Sequence, residues 1–239
     1  MKIKLSPLYL LSFFALVFLV HEIHDWIHVL VARAVCGCWG TKAFDYWTLC
    51  AKSWVSVSNQ GNVLITMAGP LFNYLVICWG WELMQPENEL HQKSLGFSLV
   101  FASLPFPRIM GALAGGGDET LALKQIFLHA DGGNRHIVSL VGLLFVLILT
   151  LPALYRAFML VAGLWGKLMV VAFLVLPGYI DRLVVSGLLN KMLAKGILVH
   201  QVWTGFSQGI MVWLLLLLIL LVVIGRYLSW AFEYREVNL

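Results

Sequence analysis

"FLVHEIHDWIHVLVAR", residues 18 to 33, lies inside an apolar run that otherwise reads as a membrane-spanning helix, yet it carries His21, Glu22, His24, Asp25 and His28. A charged side chain at mid-bilayer costs about 2.5–3.5 kcal/mol on insertion scales. On a helix advancing about 100° per residue, His24, His28, His21 and Asp25 fall in that angular order within an arc of about 100°. Glu22 lies roughly 60° beyond the arc. The polar groups share one face, and a face of that kind needs partners.

The rest of the chain agrees with a membrane setting. Of 239 residues, 61% are hydrophobic and 12% charged, against about 45–50% and about 25% in ordinary soluble domains. The formal charge of +4 is spread along the chain, which argues against nucleic acid as a partner, since that needs a clustered basic face. The opening "MKIKLSPLYLLSFFALVFLV" imitates a signal peptide, but no small-x-small site follows and the apolar pattern runs on to Val35, so it reads as a retained first span.

A span needs roughly 20 apolar residues, and six candidates emerge: Pro7 to Val35, Val63 to Leu83, Ser94 to Ala114, His136 to Tyr155, Phe158 to about Ile180, and Val202 to Trp230. The expected fold is all-α and polytopic, one transmembrane domain over residues 1–239, with additional helices from 136 onward beyond a metal-site region of about 18–135. The expected location is the cell (inner) membrane, multi-pass. Segment 36–62 is too polar to cross. It holds Trp39, Trp47 and Trp54, residues favoured at headgroup level, and is expected to lie at the interface or re-enter, with "WVSVSNQGN" as a short strand. Residues 181–200 fit an amphipathic interfacial helix with Arg182, Lys191 and Lys195 outward. Lys and Arg fall on both sets of loops, and only Lys2 and Lys4 bias the orientation, towards a cytoplasmic N-terminus.

His24 and His28 are four apart, so both imidazoles reach one ion. In His-Glu-x-x-His helices two histidines bind Zn²⁺ in this way and the Glu acts as general base. Here Asp25 stands where Glu is expected. A second register, His21-Glu22-Ile23-His24-Asp25, keeps Glu after a histidine and offers Asp25 as the i+4 ligand.

"HDWIHVLVARAVCG" resembles the first motif of site-2-protease-like intramembrane zinc metallopeptidases, with His24, Asp25 and His28 followed by Ala32-Arg33 and Gly37. "AGPLFN" is similar to that family's Gly-Pro-x-x-Asn, matched by Gly69, Pro70 and Asn73, and starts a span. "LPFPRIMGALAGGGDE" resembles its third motif, with the acid delayed to Asp118; "DGGNR" offers Asp131 instead. The resemblance covers about residues 18 to 135 and favours the His24/His28 register. It implies a Zn²⁺ site on His24, His28 and Asp118 or Asp131, with Asp25 or Glu22 as base. It also implies Asn73 at substrate or oxyanion, His21 beside the site or on the metal, and a membrane protein or peptide in the lipid bilayer as substrate. Asp is one methylene shorter than Glu, and a misplacement near 1 Å costs about 100-fold in rate. The helix shifts to compensate, Glu22 moves the proton, or hydrolysis is lost; in the last case the chain is a silent relative that binds metal or a membrane protein partner.

Plainer readings stand beside these. The histidine face as a stripe holding helices together is one, although four ionisable groups exceed that need. Gly69-Pro70 also fits helix-start chemistry, and Asp118 a helix N-cap. A Cys38–Cys50 disulfide or free thiols suit the cysteines better than a thiolate zinc site. Asp45, Lys42 and Arg108 read as solvated or interfacial charges, with Arg108 placed to pair with an acid. A di-iron hydroxylase needs more histidine clusters than seven histidines supply, and a haem protein would declare itself by visible absorption.

Overall fold

Ser6 opens the first helix: its hydroxyl accepts from the Tyr9 amide at 3.1 Å, and Pro7 follows at the first helical position, where its missing N–H costs nothing. The computed structural model describes residues 1–49, 58–127, 135–197, 201–203 and 206–233. Helix α1 (Pro7–Cys36) ends on Gly37 in the left-handed region. At about 1.5 Å per residue its 30 residues outreach the ~30 Å hydrocarbon layer, and the histidine face occupies its second half.

Among the described residues, six helical stretches are long and apolar enough to cross a membrane: Pro7–Cys36, Asn59–Leu83, Leu90–Leu113, Arg135–Leu160, Gly163–Ala194 and Gln208–Trp230. Their boundaries correct several expectations. Helix α2 (Asn59–Leu83) starts four residues earlier than expected because Ser58 caps it, accepting from the Gly61 amide. Gly69 and Pro70 therefore lie within the helix rather than at its start. Residues 59–62 of the anticipated strand are helical, and 50–57 lie outside the described residues.

The third stretch is two helices, α3 (Leu90–Ala102) and α4 (Pro105–Leu113), broken where Leu104 takes φ 54°. Helix α5 (Gly117–Phe127) follows a turn in which Gly115 and Gly117 both have positive φ, a conformation glycine adopts without steric cost. Helix α6 (Arg135–Leu160) outlasts its predicted end and α7 (Gly163–Val184) begins later than expected. Over its described part, the interfacial helix expected at 181–200 is not a separate element. Instead α7 passes through a π-helical turn (Val185–Leu189) directly into α8 (Asn190–Ala194), with Arg182, Lys191 and Lys195 exposed. The last stretch is α9 (Gln208–Ile224) prolonged by a 3₁₀ segment to Trp230.

The protein is mostly helical but not purely so. Strands β1 (Lys2–Ile3) and β6 (Phe232–Glu233) pair antiparallel. Four more, β2 (Thr41–Lys42), β3 (Trp47–Thr48), β4 (Gln201–Trp203) and β5 (Phe206–Ser207), form a sheet of order β3-β2-β5-β4. The 36–62 segment thus contributes a hairpin, β2–β3.

Helix α1 is the axis, packed on α2, α3 and α9, while α5 leans on α2 and α6. Around its first half Tyr9, Phe13, Phe97, Phe101, Phe173 and Phe232 form the core, with Phe13–Phe173 and Phe97–Phe173 centroids 4.9 and 5.2 Å apart at steep angles. Such edge contacts add about 0.5–1.5 kcal/mol each beyond area burial. This apolar half fixes α1 against its neighbours, and the polar half is held in register by it.

A candidate metal centre

The second half of α1 sends its polar groups to three different elements. His24 and His28 face α5. Their Nε2 atoms lie 3.2 Å apart, and Asp118 Oδ2 stands 3.3 Å from the first and 3.5 Å from the second. Ligands about 2.0–2.2 Å from a small cation at tetrahedral angles are about 3.3–3.6 Å from one another, so these atoms mark one face of such a tetrahedron. Among the described residues this is the group of His, Cys, Asp and Glu side chains able to hold a metal ion. His28 Nδ1 donates to the Ile65 carbonyl at 2.6 Å, which leaves the Nε2 lone pair for the triad, the usual arrangement for a ligating histidine. Burial would raise the Asp118 carboxyl, but the two imidazoles beside it outweigh that and hold it below the usual carboxylate range.

Gly69 is part of this geometry. A Cβ at that position would lie less than 3.0 Å from His28 Nε2 and from His24 Cε1 and Nδ1. The imidazoles occupy the space a side chain would need, so α2 must present glycine there. Over the other side of His28 lies Trp47 of β3, stacked at 4.8 Å and 18°.

Glu22 and Asp25 go elsewhere. Lys42 of β2 reaches in from the hairpin, 2.9 Å from Glu22 Oε2 and 3.3 Å from Asp25 Oδ2, with all three side chains buried. Lys42 is therefore not a solvated charge. The hairpin is tied down beyond this pair: the Phe44 amide donates to Asn190 Oδ1 at 3.1 Å, and the Asn190 amide donates to Asp45.

His21 is not brought to the triad. Its Nδ1 bonds Asp181 Oδ1 at 2.9 Å, on α7. Asn73 is buried and lines the same cleft as His24, but its amide is engaged: oriented to satisfy both sides, its oxygen accepts from Arg108 Nε at 3.1 Å and Nη2 at 2.5 Å. Asp131 lies outside the described residues. Cys36 and Cys78 are free thiols and Cys38 is disulfide-bonded, while Cys50 lies outside the described residues.

Two residues of the site had no place in the sequence reading. Glu119, fully buried after Asp118, accepts from Tyr74 Oη at 2.7 Å and from Arg108 Nη1 at 2.8 Å. Asp181 interrupts the apolar run "LPGYIDRLVV", and that interruption was the signal for it. The triad opens on a cleft of about 620 Å³ lined by His24, Asp25, Asn73, Arg108, Asp118 and Asp181 among others. Asp25, Asp45, Asp118, Glu119 and Asp181 line it against Arg108 and Arg182, with Lys42 between Asp25 and Glu22 behind its wall. That excess of acids favours taking up a cation. Comparison with known protein families, curated proteins and solved structures finds no match.

Proposed function

We propose that this chain is a multi-pass membrane protein of the cell (inner) membrane holding Zn²⁺ on His24, His28 and Asp118. We further propose that it hydrolyses peptide bonds of a membrane protein or peptide as a divergent site-2-protease-like metallopeptidase. One observation carries the reading: three ligand atoms at tetrahedral spacing, preset by Ile65 and Gly69, at the wall of a cleft large enough for a peptide segment. Imidazole nitrogens with a carboxylate oxygen are the donor set zinc takes in sites with an open position. When bound, zinc would lower the pKa of water and polarise the scissile carbonyl.

The chain's own residues supply the rest. Lys42 holds Asp25 at Oδ2, so a proton from the attacking water goes to Oδ1. As the water oxygen bonds to the carbonyl carbon and the C–N bond breaks, that proton passes to the leaving amine. Arg108 and Asn73 border the cleft beside His24 and orient the substrate backbone.

The Lys42 ion pairs favour a second reading, in which the base is neutralised and the chain is a non-hydrolytic relative that binds metal and a membrane partner. Purified wild type is expected to contain close to one zinc per chain, and the His24→Ala/His28→Ala double variant none. A labelled transmembrane substrate should be cut by the wild type and left intact by His24→Ala. Equal cleavage by both removes the protease reading; zinc without cleavage selects the second.

A further inference from the structure

The two histidines of the triad are not held alike. His28 has a carbonyl acceptor behind it, at Ile65. His24 has a cation behind it: Arg108 Nη2 lies 3.0 Å from His24 Nδ1. A guanidinium has donors only, so His24 Nδ1 accepts, and the single proton of a neutral ring sits on Nε2, pointing at Asp118 and His28. That nitrogen has no lone pair to give. For it to become a ligand, the proton must cross to Nδ1, where it would meet an Arg108 N–H head on. No net charge change on the ring is involved, only a change of nitrogen.

We propose that Arg108 is an internal competitor that opposes cation binding at the triad, and that metal entry requires its Nη2 to release His24 Nδ1 while it stays on the side-chain oxygen of Asn73. This rests on the metal site argued above and assigns its regulation. The acceptor that retains Arg108 is already in place, because the Asn73 oxygen accepts from both Nε and Nη2. The pivot is also in place. Arg108 Nη1 is fixed to buried Glu119, which Tyr74 orients, so the guanidinium turns about that bond without losing its counter-charge. Arg108 is thus a positioning residue acting on metal affinity through His24. Asp118 and the group that opposes loading sit on successive helices, α5 and α4.

Two measurements test this. In ¹⁵N-histidine spectra of the detergent-solubilised, metal-free wild type, His24 is expected as the Nε2–H tautomer and His28 as Nδ1–H. Addition of Zn²⁺ alone should convert His24 to Nδ1–H. Finding His24 already as Nδ1–H without metal overturns the proposal, whatever the variants do. In competition against a chelating dye, Arg108→Gln, whose amide oxygen accepts from Nδ1–H, should bind Zn²⁺ at least about 10-fold more tightly, within the range of outer-shell effects on metal sites. Arg108→Lys should restore wild-type affinity, and Asn73→Leu should weaken it. Equal or weaker binding by Arg108→Gln overturns the competitor role while leaving the metal site standing. No binding by any of them, matching the His24→Ala/His28→Ala background, removes the metal site and this proposal together.

Discussion

At the scale of single residues, the site depends as much on what is missing as on what is present. Gly69 contributes no atoms to the triad, yet any side chain there would collide with both imidazoles. Gly69→Ala is therefore expected to leave helix content unchanged by circular dichroism and to lower zinc retention at least tenfold, the order of effect of a displaced ligand shell. Zinc retained at the wild-type level would show that the imidazoles have room to spare. His24 and His28 were legible because an i, i+4 pair declares its shared face, and Asp118 because three glycines before it announce a break. Gly69 was legible only as part of a motif. Its use as empty space depends on how closely α2 crosses α1, which no local pattern records. Lys42 was misread for a similar reason, since a lone lysine between aromatic residues looks solvated until its partners on another element are known.

Among the elements, the β2–β3 hairpin has the largest influence on the site for its size. It delivers Lys42 beneath Asp25 and Trp47 over His28, and Asn190 of α8 anchors its tip. Removing the lysine leaves two buried carboxylates without a counter-charge, a loss of about 3–5 kcal/mol when a buried pair is broken on one side. Lys42→Met should thus unfold markedly earlier in detergent, and adding Glu22→Gln should recover part of the loss. A thermal scan that places Lys42→Met beside wild type would mean that the three groups are not coupled as drawn. The existence of the long helices was readable from apolar length. Their breaks were not, because a hydropathy window averages over Leu104 and cannot register one left-handed residue before Pro105-Phe106-Pro107. The π-turn at Val185–Leu189 likewise leaves composition untouched while it joins α7 to α8.

For the whole molecule, the outward faces are apolar and the polar groups turn inward around α1. Val222 is 86% exposed, Trp165 78%, and Leu75 and Ile148 70% each, the surface expected of helices whose surroundings are lipid. Ile219, half-exposed near the middle of the last stretch, provides the test. Ile219→Arg should cost about 2.5–3.5 kcal/mol of insertion free energy and reduce the inserted fraction in a glycosylation-mapping assay, whereas Ile219→Leu should not. Equal insertion of both would place that face in water. The number of long apolar helices was open to apolar length alone. The pairing of His21 with Asp181, 160 residues apart, was not, because it is set by the packing of the first and fifth stretches.

The indole of Trp47 lying flat on the His28 ring gives the protein a built-in sensor. Ring currents and charge on one partner are felt by the other at this separation, so 5-fluorotryptophan placed at position 47, its resonance identified by Trp47→Phe, would report each change at the imidazole from a fluorine nucleus that touches no ligand atom. Occupancy of the centre becomes readable in intact vesicles, without purification and without any knowledge of what the protein cuts or holds.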